Sequence, residues 1–493
     1  MKLPTDHLLK GYAMPRLVCC ALIMCVGSLV GGEAASARPL LHPLFSDHAV
    51  LQRDRPLPVW GWDAPGMMVV VTLGQVKADA VAGADGRWQV QLPAQAAGGP
   101  MELVVVGSHR EARSDILMGD VWLCSGQSNM GFSLKDSTGG PEAAAAAKDS
   151  ELRLHMVTQK TSAVPLDVPA GGTWQTCSPE SAAAFSAVGY YFGRDLRTHT
   201  KVPIGLIRSC WAGTLAEAWT SREALESLGE FTKDFPAPDG SSPNDVKRFG
   251  DRGQNRPTVL YNSMIHPLQP FALRGVIWYQ GESNGYASLA PMYARQLPAL
   301  IANWRAGFVT PDLPFGIVQL SSFGDPAKGP TDGGWAAIRD VQTATAHDVP
   351  GCGLAVTIDI GAKDYHPKNK LDVGLRLSLW ARATVYGEKD LEWSGPWFRS
   401  MKVVEGTARV SYDHLGGGLK TKDGGSVKGF AIAGADKRWR FADATIDGNE
   451  IVLRSAEVPL PVAVRYAWCM NPVCNLTNST GLPAVPFRTD DWK

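Results

Sequence analysis

The stretch "GDVWLCSGQSNM", residues 119–130, contains the two signals that decide the fold of this chain. An apolar run, Val121 to Cys124, breaks into Ser-Gly-Gln-Ser-Asn, the pattern of a buried strand followed by a tight turn. We expect Ser128 to follow this turn and to open a helix at the rim of a sheet, with Ser125 inside the turn. Serines after strands are often only turn or cap residues, so both also have that ordinary interpretation.

The middle of the chain, residues 119–392, repeats this alternation of strand and helix. Strands are predicted in "VWLC", "LRLHMV", "PIGLIRSCW", "GVIWYQG", "FGIVQL" and "LAVTIDI", and helices in "AVGYYFGRDLRTHT" and "PMYARQLPALIANWRAGF". A further helix is expected to start at Pro367. Apolar strands alternating with helices predict an α/β domain with a parallel sheet covered on both faces. Ligands of such sheets bind beyond the carboxyl ends of the strands.

The flanking residues, 38–118 and 393–493, have a different pattern. Short β-branched and aromatic runs are separated there by turn residues, as in "GRWQVQLPAQAAGGP" and "WRFADATIDGNEIVLRS". This pattern is typical of antiparallel strands joined by tight turns. It predicts β-sandwich elements on both sides of the α/β domain.

Residues 1–37 have the organisation of a secretory signal. Lys2, Lys10 and Arg16 precede an apolar segment over residues 17–30, and small residues end at Ala37 in an A-x-A pattern. A start at Met14 would give a shorter signal, and both starts remain open. The apolar segment is too short for a membrane span, and no later segment is longer, so we expect a secreted or periplasmic protein without a span.

Composition excludes some classes of function. Lys plus Arg and Asp plus Glu number 48 each, so no excess of charge favours binding to nucleic acid. Six of the nine cysteines follow residue 37, and their spacing matches no zinc site. Cys469 and Cys474 are the nearest pair for a disulfide in an exported protein, but buried free thiols are equally compatible with the sequence.

A candidate general base lies in "IDIGAKDYHPKNK", residues 358–370. His366 follows the end of an apolar strand, with Asp364 two residues before it and Asp359 at the strand end. A histidine oriented by a carboxylate is what a nucleophilic serine requires. His266, which also precedes a proline, is the strongest competitor for this role.

Two further strand ends carry polar residues. "GVIWYQGESN" places Gln280, Glu282 and Asn284 after one strand, where an amide could donate to an oxyanion and a carboxylate could orient a neighbour. "IRSCWAGT" places Gly213 after another strand, where a glycine lets the backbone N–H approach a substrate closely. Each segment can also be a hydrogen-bonded turn, but several such segments in one α/β region indicate a catalytic edge.

Taken together, the segments resemble the sialate O-acetylesterase family, a branch of the SGNH hydrolases. The resemblance spans nearly all of residues 38–493 and rests on long segments in the family's order. These are "PLFSDHAVLQRDRPLPVWGW", "GDVWLCSGQSNM", "FSAVGYYFGRDL", "VIWYQGESN", "HPKNK" and "GLPAVPFRTDDW". It implies a flavodoxin-like three-layer α/β/α hydrolase domain with β-sandwich elements before and after it. It also implies removal of O-acetyl groups from sugars without a metal or other cofactor.

The resemblance assigns roles to particular residues. Ser128 would be the nucleophile and His366 the base, with the backbone N–H groups of Ser128 and Gly213 and the Gln280 amide as the oxyanion hole. SGNH enzymes usually place an aspartate three residues before the histidine, but this chain has Lys363 there. Asp364 is therefore the candidate orienting carboxylate.

Other residues and substrates remain open at this stage. Glu282, Asn284 and Asp359 are alternatives for orientation or for substrate contact. The expected partner is an O-acetylated carbohydrate, either a 9-O-acetylated sialic acid or a plant polysaccharide fragment such as acetylated xylan or xyloglucan, because a fold does not set the sugar. A glycan-binding protein without catalysis is the alternative from another class, and the oligomeric state is undetermined.

Overall fold

The computed structural model describes residues 38–229, 231, 235, 253–361 and 363–492, so the predicted signal over residues 1–37 lies outside the described residues. The first part of this range forms short strands, as the alternating pattern predicts. They are β1 (Val50–Gln52), β2 (Leu57–Trp62), β3 (Met68–Leu73), β4 (Val76–Val81), β5 (Arg87–Leu92) and β6 (Gly98–Val106). β2 pairs with β5, and β3 pairs with both β4 and β6, all antiparallel.

A long strand, β7 (Arg110–Gly126), connects this region to the central sheet. Its first half pairs with β6 and β1, while its second half lies between two strands of the parallel sheet. Every residue from Ile116 to Gly126 is buried, because both faces of this half are covered. The predicted boundary between residues 118 and 119 falls inside β7, and Pro39–Lys493 forms one compact unit. The division into domains stays a prediction.

The central sheet contains the predicted apolar strands. They are β8 (Leu152–Met156), β9 (Trp174–Thr176), β10 (Ile204–Cys210), β11 (Gly275–Tyr279), β12 (Phe315–Val318) and β13 (Cys352–Ala355). The spatial order is β13-β12-β11-β7-β10-β8-β9, and only β9 runs antiparallel to its neighbour. Apart from the edge pair β8 and β9, this is the flavodoxin-like order 2-1-3-4-5. The order reverses at β7, so a crevice is expected beyond the end of that strand.

Helices cover both faces of the sheet. They are α1 (Ser128–Gly131), α2 (Gly140–Ala145), α3 (Pro179–Ala183), α4 (Ala187–Thr200), α5 (Arg222–Ser227), α6 (Ala290–Gly307), α7 (Gly334–Asp348) and α8 (Leu371–Thr384). On one face, the β7 ring of Trp122 contacts Phe192 of α4 at 4.9 Å and Trp380 of α8 at 6.2 Å between centroids. On the other, Trp278 of β11 contacts Trp304 of α6 at 5.6 Å. The predicted three-layer α/β/α class is confirmed.

One predicted boundary is wrong. The helix expected from Pro367 begins at Leu371, the start of α8. Residues 366–370 are held in a loop by tertiary contacts, since Thr138 N donates to Lys368 O at 2.9 Å and the Lys370 ammonium donates to Asn129. These contacts outweigh the preference of proline for a first helical turn.

The C-terminal region forms antiparallel sheets, as predicted. Its strands are β14 (Trp397–Val404), β15 (Thr407–Asp413), β16 (Leu419–Thr421), β17 (Phe430–Ala433), β18 (Trp439–Phe441), β19 (Asp443–Asp447), β20 (Glu450–Arg454), β21 (Ala463–Tyr466), β22 (Leu476–Asn478) and β23 (Phe487–Arg488). They pair in the orders β14-β15-β20-β19, β18-β17-β21-β23 and β16-β22. The six cysteines after residue 37 are free thiols. Within the described residues, no helix is both long and apolar enough to cross a membrane.

Candidate active site

Ser128 lies at the carboxyl edge of the central sheet, as the first residue of α1 directly after β7. The turn before it packs tightly on β11, because Gln127 N donates to Tyr279 O at 3.0 Å. A Cβ on Gly126 would lie 2.1 Å from the same oxygen, and Gly126 has a φ of +132°, so only glycine fits there. Ser128 is half-buried. Its N–H belongs to the first helical turn, whose donors have no acceptor within the helix.

Ser125 differs from its predicted place in the turn. It is the second-last residue of β7 and is fully buried. Its hydroxyl has no hydrogen-bond partner among the described residues. A buried hydroxyl inside a strand cannot reach a substrate, so Ser128 is the accessible serine of this pair.

The turn after β10 carries Gly213 and is joined to the turn before Ser128. Trp211 N donates to Gly126 O at 3.2 Å, which joins the two turns, and Gly213 has a φ of +69°. Asn255 fixes this turn from a distant segment, since its Nδ2 donates to Gly213 O at 3.0 Å and its Oδ1 accepts from Leu215 N at 3.0 Å. Sequence reasoning missed Asn255 because no local pattern links it to Gly213.

The Gln280 amide connects the turns after β11 and β10. Its Nε2 donates to Thr214 O at 3.0 Å and to Asn284 Oδ1 at 2.6 Å. Asn284 in turn accepts from Ala216 N at 3.1 Å and donates to Glu217 Oε2 at 3.1 Å. Both hydrogens of the Gln280 amide therefore have protein acceptors in this structure. Donation to an oxyanion would require one of these bonds to open, so its oxyanion role stays a prediction.

Asn129, the residue after Ser128, is the centre of a buried polar network. Its Nδ2 donates to Glu282 Oε1 and, at 2.9 Å, to Tyr365 O, while its Oδ1 accepts from the Lys370 ammonium. Tyr365 directly precedes His366 in the chain. Asn129 therefore joins α1, which carries the candidate nucleophile, to the loop of the candidate base.

Glu282 and Lys370 are linked through Asn129 in this network, and Lys370 is fully buried. Burial raises the pKa of the Glu282 carboxyl, although the Asn129 hydrogen bond and the Lys370 charge act against that rise. Burial lowers the pKa of Lys370 to about 7, with the Glu282 and Asp364 carboxylates opposing the change. Glu282 Oε2 is buried and accepts no hydrogen bond from the described residues. The pair thus depends on Asn129 for its hydrogen bonds.

His366 lies beside the end of α1, with its ring centroid 6.2 Å from that of Phe132. Its Nδ1 is 3.6 Å from Asp364 Oδ1, and its backbone N donates to the same oxygen at 3.4 Å. Burial lowers the pKa of His366, Asp364 raises it, and Lys370 lowers it. Ser128 and His366 share no direct hydrogen bond here, which is common for catalytic pairs before substrate binds.

The remaining candidates lie in other contacts. Asp359 forms a bidentate ion pair with Arg376, at 2.6 and 2.9 Å, and also accepts from Lys422 at 3.1 Å. Burial raises the pKa of Asp359, but Arg376 and Lys422 outweigh it and the net shift is downward. His266 Nδ1 is 3.0 Å from Leu166 O. Among the described residues, no group of three or more His, Cys, Asp or Glu side chains is arranged to hold a metal ion.

Comparison with known proteins identifies the family. A family model described as a carbohydrate esterase, sialic acid-specific acetylesterase, matches residues 118–371. The human sialate O-acetylesterase is 34% identical over 480 residues, which cover 87% of this chain and 88% of the human protein. This chain belongs to the sialic acid-specific acetylesterase family. The mouse sialate O-acetylesterase is 32% identical over 505 residues, covering 90% of this chain and 93% of the mouse protein.

A solved structure supports the same conclusion over the whole described fold. A carbohydrate acetylesterase from Xanthomonas citri is 44% identical, with a TM-score of 0.83 over 92% of this chain and 100% of that one. The resemblance stated from the sequence is confirmed. The protein is a carbohydrate acetylesterase, which is a carboxylic ester hydrolase.

Proposed function

We propose that this esterase releases acetate through an acetyl-enzyme intermediate on Ser128, with His366 as general base. The observation that carries the proposal is the Asn129 link, which holds the residue after Ser128 against the residue before His366. No other described histidine has such a connection to the turn after β7. The competing His266 instead lies against Leu166 O.

The reaction would proceed in two steps of acyl transfer. His366 takes the hydroxyl proton of Ser128 as Oγ attacks the acetyl carbonyl carbon, and the carbonyl oxygen becomes an oxyanion. The backbone N–H groups of Ser128 and Gly213 would stabilise this charge. The ester bond then breaks, and the sugar oxygen leaves with the proton from His366. Water then attacks the acetyl carbonyl carbon as His366 takes its proton, and His366 returns that proton to Ser128 Oγ as the acyl–oxygen bond breaks and acetate leaves.

Asp364 is the proposed orienting carboxylate for His366. Its Oδ1 is the acidic oxygen nearest to Nδ1, at 3.6 Å, and closing this distance by about one ångström would form a hydrogen bond. The Asp364 side chain is 72% exposed, so it can move at small cost. An ion pair with an exposed carboxylate is weaker than one with a buried carboxylate. We therefore expect Asp364 to contribute less to the reaction rate than Ser128 or His366.

The proposed substrate is an O-acetylated sugar, with 9-O-acetylated sialic acid as the leading candidate. The names of the mammalian relatives support sialate esters. Acetylated xylan or xyloglucan fragments are the second candidate, because the Xanthomonas citri relative at 44% identity carries the broader name of a carbohydrate acetylesterase. Acetate release from both sugars, by wild type and by Ser128→Ala, tests the proposal. Release by wild type alone supports it. Release that persists in Ser128→Ala, or no release from either sugar, contradicts it.

We also propose that the esterase is exported after removal of residues 1–37. The basic residues, the apolar segment and the small residues ending at Ala37 support this proposal. N-terminal sequencing of the protein recovered outside the cytoplasm tests it. A mature chain that begins at Arg38 is expected, and an intact Met1 or Met14 terminus would contradict export by this route.

A further inference from the structure

Three aromatic rings form a cluster at the carboxyl edge of the sheet, each supplied by a different segment of the chain. Phe323 follows β12, Trp335 lies in the first turn of α7, and Tyr365 precedes His366. The Phe323 and Tyr365 rings are stacked with centroids 4.1 Å apart and an angle of 24°. The Phe323 and Trp335 rings are stacked at 5.0 Å and 29°. The catalytic edge therefore has an ordered aromatic wall.

Tyr365 is the most exposed ring of this cluster. Phe323 covers one face of Tyr365, yet Tyr365 is 53% exposed, so its other face is in contact with solvent. Isolated exposed aromatics need no explanation. Tyr365, however, adjoins the candidate base, and its carbonyl oxygen is fixed by Asn129 at 2.9 Å.

The other two rings of the cluster are packed against the fold. Trp335 is 5% exposed and packs on the turn after β11, where a Cβ added to Gly285 would lie 2.7 Å from its Nε1. Phe323 contacts both Trp335 and Tyr365, and Phe323 N donates to Met470 O at 3.2 Å. An aromatic surface that is ordered before binding loses little conformational entropy when a ligand stacks on it.

We propose that the open face of Tyr365 is the subsite for the sugar ring of the substrate, placing that ring beside His366. One face of a pyranose presents C–H groups, which complement the negative face of an aromatic ring. A small apolar surface with a few nearby polar groups is typical of a ligand site. This inference rests on the proposed function, since it uses the same catalytic edge.

The test compares a sugar ester with an ester that has no ring. We would measure kcat/KM for 9-O-acetylated sialic acid, for acetylated xylo-oligosaccharide and for ethyl acetate. The readout is the ratio of the faster sugar to ethyl acetate in wild type, Tyr365→Ala, Tyr365→Leu and Tyr365→Phe. Loss of a stacking contact should lower this ratio about tenfold in the Ala and Leu variants. Tyr365→Phe keeps the ring and should keep the ratio.

Phe441→Ala is the matched control, because Phe441 is 54% exposed in β18, a strand of the C-terminal antiparallel sheets and not of the central sheet. It should leave both rates unchanged. A ratio that stays at the wild-type value in Tyr365→Ala and Tyr365→Leu would overturn the subsite. This failure differs from failure of the proposed function, in which Ser128→Ala would still hydrolyse ethyl acetate.

Discussion

Replacing Asn129 by alanine should separate the nucleophile from its base without touching either. The side chain makes three hydrogen bonds, to Glu282, to Tyr365 O and to the Lys370 ammonium. Alanine removes all three, and leaves two buried ionisable groups without the residue that joins them.

The expected loss of stability follows from these contacts. A buried polar group left without its partner costs about 1–3 kcal/mol, and more when the group is charged. Because Asn129→Ala leaves the fully buried Lys370 and the Glu282 carboxyl without these hydrogen bonds, we expect the free energy of unfolding to fall by about 3–5 kcal/mol. Displacement of the His366 loop by about one ångström should also lower kcat about a hundredfold.

Urea unfolding and acetate release at saturating substrate measure the two effects. Asn475→Ala is the matched control, because Asn475 also makes three hydrogen bonds, to Asp423, Ser426 O and Lys428 N, in the C-terminal region. The free energy of unfolding of Asn475→Ala should fall by about 1 kcal/mol, and its kcat should equal that of wild type. The predicted role of the Asn129 network would be refuted by two results together. These are a kcat for Asn129→Ala within a few-fold of wild type and a loss of stability no larger than that of Asn475→Ala.

Three further substitutions test the titratable groups. Asp364→Asn removes the negative charge that favours protonated His366, so the pKa of His366 should fall further. Because the base must be neutral to act, the acid limb of the kcat/KM profile should move to lower pH. Asp359→Asn leaves the buried Arg376 without its carboxylate partner, so the free energy of unfolding measured in urea should fall by about 3–5 kcal/mol. The acid limb of the kcat/KM profile should not move in this variant; a shift would make Asp359 the orienting residue. Lys370→Met removes a group whose pKa is about 7 when folded and higher when unfolded. From pH 7 to 10 the Lys370 side chain binds more protons in the unfolded chain than in the folded one. The unfolding free energy of wild type should therefore rise relative to that of Lys370→Met as pH increases. A difference between the two proteins that does not change with pH would contradict the lowered pKa of Lys370.

Much of the fold is predictable because it depends on local patterns. The run before Ser128 is continuously apolar because both faces of β7 are covered, and this pattern predicts a buried strand. The other strands of the parallel sheet are predictable for the same reason. The helix over "AVGYYFGRDLRTHT" matches α4 at both ends, where Ser186 accepts from Gly189 N as an N-cap.

The support of the site is less predictable because its contacts are long-range. Asn129 binds groups at positions 282, 365 and 370, and Asn255 binds the turn at position 213, so no window of sequence contains either set. The predicted role of Gln280 shows the same limit. Its place after a strand is visible in the sequence, but its acceptors on Thr214 and Asn284 are not.

Release of acetate through an acetyl group on Ser128 can be observed by mass spectrometry of peptides from enzyme that is acid-quenched during turnover of an acetylated sugar. We expect an acetylated peptide that contains Ser128. Ser128→Ala should lose both this adduct and acetate release, and Ser125→Ala, whose hydroxyl is buried within β7, should keep both. Turnover that continues in Ser128→Ala, or an acetyl group found on another residue of the edge, would contradict release through Ser128.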